Sequence, residues 1–179
     1  MNICDLFSTK ERVKILGNII YSTEPLRVNK VAEEARLSKG LISKYFDILA
    51  KNNVLEKTDS GFLVKKNIYV KALRILLNLC SINTGLFKKY MFVKGAGIYG
   101  SFVKGTNTEK SDIDMWIFIS KTNDEKMANL SKKLKEMGNV KPLYLTREKL
   151  ERLKKNDEIF YHSLVFGSIT IYGEEIEKI

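Results

Sequence analysis

Residues 95–118 read GAGIYGSFVKGTNTEKSDIDMWIF, and they carry two signals that point to different folds. The opening glycines, Gly95, Gly97 and Gly100, match the spacing of a turn that cradles a dinucleotide, while Asp112 and Asp114 close the stretch one residue apart. A dinucleotide turn ends one strand and opens a long helix, with an acidic residue about 20 positions further on. Here Ile98 and Tyr99 are strand formers inside the motif, and Gly105 with the polar run 106–110 follows Gly100 after only a turn or two of helix. The glycine spacing is therefore read as coincidence and the aspartates as the chemistry.

On that basis residues 97–100 end a strand, and Gly100-Ser101 turns into a short helix. Backbone N–H groups at such a turn can hold a phosphate, and a glycine removes the Cβ that would keep it away. The next segment, SDIDMWIFIS, alternates: Ile113, Met115, Ile117 and Ile119 on one face, Asp112, Asp114, Trp116 and Phe118 on the other. That alternation predicts a strand. Its period of two sets both carboxylates on one face, about 7 Å apart. Neighbouring carboxylates repel unless a cation lies between them, so the pair asks for Mg²⁺.

Gly100-Ser101, then Lys104, Gly105 and Ser111, then Asp112-Ile113-Asp114, resembles the signature of the nucleotidyltransferase superfamily, which includes DNA polymerase beta, kanamycin nucleotidyltransferase and the minimal nucleotidyltransferases of prokaryotes. The resemblance covers roughly 86–179. It implies a small mixed sheet flanked by helices, with Asp112 and Asp114 as catalytic metal ligands for Mg²⁺ or Mn²⁺. ATP or another nucleoside triphosphate would be the substrate, with Gly100 and Ser101 on its β and γ phosphates and Lys104, Gly105 and Ser111 completing the nucleotide site. A nucleoside monophosphate would pass to an acceptor hydroxyl, with release of pyrophosphate. One departure stands out. Members that catalyse usually add a third carboxylate from the next core strand, and here that strand, VKPLYLT at 140–146, has none. Lys141 or Leu143 stands at the position where the acid is expected, and Glu136 and Glu148 lie outside the run.

Upstream, Ser8-Thr9-Lys10-Glu11 forms a capping-box pattern before Val13, Leu16, Ile19 and Ile20 at helical spacing. A second helix fits 29–35, with Val31, Ala32 and Ala35 inward. Ser38 is a good N-cap for a third, whose core face is Ile42, Phe46 and Leu49. Strand-like runs at 54–58 and 62–64 flank Asp59-Ser60-Gly61, which is hairpin chemistry. Three helices and a hairpin resemble a winged helix-turn-helix domain of the kind common in prokaryotic transcription regulators. The resemblance implies contact with duplex DNA through Lys39, Ser43 and Lys44 on the third helix and through Lys57, Lys65 and Lys66 on or beside the wing. Lysines act mainly on phosphates and so add affinity without sequence choice.

A helix over 69–82 follows, with an apolar stripe of Val70, Leu73, Leu77 and Cys80 widened by Ile75, Leu76 and Leu79. Its breadth demands cover, from a core or from a second copy in a homodimer. Beyond the aspartate strand, a lysine-rich helix fits 124–137, two helices fit 147–155 and 157–166, and a last strand fits 169–172. The expected class is α+β: a winged helix-turn-helix at 1–68, a connecting helix and hinge at 69–85, and a small mixed-sheet nucleotidyltransferase fold at 86–179.

Composition agrees with that division. A chain of 179 residues that is 44% hydrophobic can build two small cores. No apolar run is read as reaching the roughly 18 residues of a membrane span, so no membrane partner and a cytoplasmic location are expected. Two cysteines and one histidine exclude a disulfide framework and a Cys/His zinc site, which leaves oxygen ligands for any metal. The formal charge of +10, spread over both parts, favours an acidic partner such as nucleic acid. Two readings stay open: a nucleotidyltransferase, and a DNA-binding transcription regulator whose nucleotidyltransferase-like domain binds nucleotide or partners without turnover. An antitoxin-type role, in which such a domain modifies a toxin, is a third.

Overall fold

The computed structural model describes residues Met1–Lys178. By its contacts the chain divides into two compact units, Met1–Leu77 with Asn107–Glu109, and Asn78–Thr106 with Lys110–Ile179.

The first unit opens with α1 (Ile3–Phe7), α2 (Lys10–Ile19), α3 (Val28–Ala35) and α4 (Lys39–Lys51). Thr9 and Ser38 cap α2 and α4, their side chains accepting from the N–H groups of Arg12 and Leu41. Between α3 and α4 the chain turns at Arg36 in the left-handed conformation (φ 56°), whose N–H meets the last carbonyls of α3. A hairpin of β1 (Leu55–Thr58) and β2 (Gly61–Val64) follows, and Leu26 exchanges backbone hydrogen bonds with Phe62 to lengthen it into a third strand position. Phe62 stands edge-on to Phe46, 5.0 Å between centroids, which ties the hairpin to α4. The buried face of α2 is Ile15, Leu16 and Ile19, with Val13 displaced to its exposed edge. The helix α1 was not anticipated from periodicity, since five residues are too few to display one. Tertiary hydrogen bonds hold it instead: the Tyr45 hydroxyl donates to Leu6 O, and Arg12 donates to Asp5 O.

The helix α5 (Ile68–Ser81) buries Val70 and Leu73 in the first core and turns Leu76 and Cys80 outward, with Asn78 inward in place of Cys80. Asn78 earns that position by donating to Phe102 O. With the 3-10 turn after it, Ile68–Lys89 is long and apolar enough by length and composition to cross a membrane, which corrects the expectation from the sequence. Its residues Val70, Leu73, Ile82 and Phe87 are buried in protein cores, and 28% of its apolar window is buried.

The second unit is built on a four-stranded sheet of order β5-β4-β3-β6, from β3 (Val93–Ile98), β4 (Ile113–Ile119), β5 (Val140–Leu145) and β6 (Ile169–Gly173). The pairs β3–β4 and β3–β6 are antiparallel and β4–β5 is parallel, so the sheet is mixed. The one-turn helix α6 (Ser101–Lys104) connects β3 towards β4, α7 (Asp124–Leu134) crosses between β4 and β5, and α8 (Arg147–Asn156) and α9 (Glu158–Gly167) precede β6. As the alternation requires, β4 feeds two cores. Ile113, Met115, Ile117 and Ile119 pack with Leu130 and Leu134 of α7, while Trp116 and Phe118 pack with Leu150 of α8 and Leu164 of α9. Gly97 makes room for the fully buried Trp116, whose ring an added Cβ would meet at 2.4 Å.

Candidate functional site

Asp112 and Asp114 stand at the start of β4, where the central strand meets the turn leaving β3. Gly100 adopts φ 71°, ψ −139° and opens α6, and Gly105 closes that turn of helix in the left-handed conformation, its N–H donating to Ser101 O. The Asp114 carboxylate lies against the turn: a Cβ on Gly100 would fall 2.6 Å from Asp114 Oδ2. Tyr99 N donates to Asp114 O at 3.0 Å and fixes this approach through the backbone. The structure thus brings Gly100, Ser101, Asp112 and Asp114 together. Ser111 is half-buried where the chain approaches Asp112, Gly105 is buried, and Lys104 points to solvent.

The electrostatics of the pair are unequal. Burial holds the Asp114 carboxyl above the usual range, the neighbouring charge of Asp112 adds to this, and Lys141 opposes it. Burial likewise raises the Tyr99 hydroxyl, with Asp114 adding. Asp112 has partners on both oxygens. Asn139 Nδ2 donates to Oδ1, and the Lys141 ammonium forms an ion pair with Oδ2. The hydrogen bond that Lys141 donates to Asp112, together with the charge of Asp112, raises the Lys141 pKa.

Both partners come from β5 or the residue before it. The parallel register sets Lys141 beside Asp114 and Val140 beside Ile113, so Asn139 falls level with Asp112. Asn139 escaped the reading of the sequence. Its only signal was its place before a strand whose parallel pairing had first to be known.

The acidic pair would welcome a divalent ion, since a cation relieves the repulsion that helps to raise Asp114. Among the described residues no cluster of three or more His, Cys, Asp or Glu could hold a metal. The donors therefore suit an ion that draws its further ligands from a phosphate group, and Asp114 with Asp112 would hold it. Two cavities of about 670 and 700 Å³ open at the other end of β4, around Ser120 and Lys121, and neither is lined by any residue of this cluster.

In the first unit Lys39, Ser43 and Lys44 lie on the exposed face of α4, Lys57 is exposed on β1, and Lys65 and Lys66 follow β2. Lys65 Nζ donates to Asn53 Oδ1 at 3.3 Å.

No curated protein matches the sequence. Among solved structures, the chain is similar to a toxin-antitoxin crystallised with AMP-PNP (17% identity, TM-score 0.41, covering 56% of this chain and 77% of that one). It is also similar to a mutant of the toxin-antitoxin MntA-HpeT (14% identity, TM-score 0.37, covering 52% and 72%). Residues 84–177, more than half of the chain and including the whole Gly100–Asp114 cluster, match the family model "Polymerase beta, Nucleotidyltransferase", and the protein belongs to that family.

Proposed function

We propose that the second unit binds a nucleoside triphosphate, ATP or another, with Mg²⁺ or Mn²⁺, and transfers its nucleoside monophosphate to an acceptor hydroxyl. The observation that carries this reading is the packing of the Asp114 carboxylate against the Gly100-Ser101 turn. Phosphate-binding backbone and metal-binding carboxylates are then neighbours at one end of β3 and β4, as the reaction needs. The N–H groups of the turn and the Ser101 hydroxyl take the β and γ phosphates, and exposed Lys104 supplies positive charge beside them. Gly105 and Ser111 shape the chain on either side. A divalent ion on Asp112 and Asp114 supplies charge neutralisation at the triphosphate. The acceptor oxygen bonds to the α-phosphorus, its proton leaves to solvent or a nearby base, and pyrophosphate departs with the electrons of the broken P–O bond.

In the same proposal the first unit is a winged helix-turn-helix that carries the protein to duplex DNA. Three helices closed by a hairpin, with Lys39, Ser43 and Lys44 outward on α4, support it. The exposed Ile68, Tyr69 and Leu76 of α5 support pairing of two copies through that helix.

A second reading is favoured by one observation: β5 brings no acid to the site, and Lys141 pairs with Asp112. On it the protein is a DNA-binding regulator that holds nucleotide without turnover. Transfer from each α-labelled NTP into macromolecules of a cell extract separates the two, comparing wild type with Asp112→Asn/Asp114→Asn. Label that requires the aspartates establishes the enzyme. No such label under any NTP, with a control transferase active in the same extract, sinks it in favour of the regulator.

A further inference from the structure

We propose that Lys141 is a built-in cation of the Asp112–Asp114 site, standing where a second divalent ion would be held, so that the site takes a single divalent ion together with the nucleotide. The inference rests on the nucleotide-binding reading above and adds the ion stoichiometry of that site and the residue that sets it.

The backbone puts Lys141 there before any side-chain geometry is considered. Neighbours in register on parallel strands share a face of the sheet, and Lys141 is in register with Asp114. Two and four residues further on, Leu143 beside Trp116 and Leu145 beside Phe118 enter the same core, which fixes the face. Lys141 therefore rises on the carboxylate side, at the place on the adjacent strand from which a third acid would have to reach. No rotamer of Lys141 turns this position into a ligand, because an ammonium has no lone pair.

Side-chain contacts then follow. The ammonium pairs with Asp112 Oδ2 and the Asn139 amide donates to Oδ1, so one of the two carboxylates is held by donors on both oxygens. Asp114 receives part of the same positive charge, which opposes the influences of burial and of Asp112. A second divalent ion drawn to Asp112 would have to displace Lys141 and then lie beside it, repelled at a few ångströms. One ion held by Asp114, reaching Asp112 only through lone pairs that Lys141 and Asn139 leave open, displaces no donor and feels the repulsion of Lys141 once rather than adding a second ion to it. Lys141 thereby takes over the fixed share of charge neutralisation, and its exposed side chain is free to face a bound triphosphate.

The test is a count of bound Mn²⁺ on the full-length chain, from the loss of the free-ion EPR signal, with and without a saturating non-hydrolysable ATP analogue. Mant-ATP fluorescence runs in parallel. Wild type, Lys141→Ala, Lys141→Asp and Asp112→Asn/Asp114→Asn are compared, with thermal melts to check folding; the side chain of Lys141 is 64% exposed, so its replacement spares the cores. Wild type is expected to bind one aspartate-dependent Mn²⁺ with the analogue. Lys141→Ala should bind Mn²⁺ on the order of tenfold more tightly, as loss of a like charge beside the ion requires. Lys141→Asp should admit a second ion, seen as spin coupling between two Mn²⁺. Two ions in wild type, or Lys141 variants indistinguishable from it while mant-ATP still binds, overturns the role of Lys141 and leaves the nucleotide reading standing. Absence of both aspartate-dependent Mn²⁺ and mant-ATP binding in every variant overturns the two together.

Discussion

A methyl group added at Gly97 would sit 2.4 Å from the Trp116 ring, and one added at Gly100 would sit 2.6 Å from Asp114 Oδ2. Only two residues separate the two glycines, yet their substitution should fail in different ways. Trp116 is fully buried and anchored by its Nε1 donating to Ser168, so it has little room to yield. Gly97→Ala is expected to cost about 1–3 kcal/mol of stability, as overpacked cores do, and to lower the melting temperature of the second unit. At Gly100 the obstacle is a half-exposed carboxylate together with a backbone conformation that L-residues rarely adopt. Gly100→Ala should therefore displace Asp114 and weaken mant-ATP binding about tenfold or more, beyond what its change in melting temperature explains. Equal nucleotide binding by Gly100→Ala and wild type would show that the turn does not touch phosphate. Much of this was legible beforehand. The alternation of Ile113, Met115, Ile117 and Ile119 against the aspartates gave the strand and the carboxylate face. The purpose of Gly97 was not legible, because the ring it accommodates belongs to a partner strand whose register periodicity does not encode. The same holds for Asn139 and for the pairing of Lys141 with Asp112, although Lys141 itself stands out in the sequence as one of two residues where an acid is expected.

At the scale of elements, the signals that survived into the structure are local ones. Ser38 accepts from Leu41 N as an N-cap should, and α4 follows with Ile42, Phe46 and Leu49 inward. Asp59 and Ser60 form the turn between β1 and β2, with Gly61 opening β2 at φ 137°, a conformation that glycine tolerates. Ser38→Ala removes the cap and is expected to cost about 1 kcal/mol. Because α4 carries Lys39, Ser43 and Lys44, that variant also tests the recognition role proposed for the helix. Frayed at its first turn, it should retain duplex DNA less well than wild type at a temperature where both remain folded, and unchanged retention would remove the start of α4 from the contact surface. Elements held by distant partners were harder to foresee. The helix α1 depends on a hydrogen bond from Asn2 N to Asn52 Oδ1, fifty residues away, and on Tyr45 reaching Leu6 O. Neither bond leaves a trace in the local sequence.

Taken as a whole, the molecule has a formal charge of +10 and uses it at two places with different demands. Lys141, on the second unit, faces carboxylates of its own chain. Lys39, Lys44, Lys57 and Lys66 on the first unit are exposed, and none of them appears in an ion pair of the described residues. If these four lie on DNA phosphates, each releases about one counterion on binding, and the logarithm of affinity falls linearly with the logarithm of salt concentration. Replacing all four by glutamine in the full-length chain should reduce the magnitude of that slope by about one for each lysine that contacts a phosphate. Lys141→Gln should leave the slope unchanged, since the one positive charge it removes lies on the other unit. That control separates contact from the general attraction of a basic protein to a polyanion. An equal reduction per charge from both variants would mean that the first unit has no privileged place on the duplex, and that the second unit meets the phosphates as often as the first.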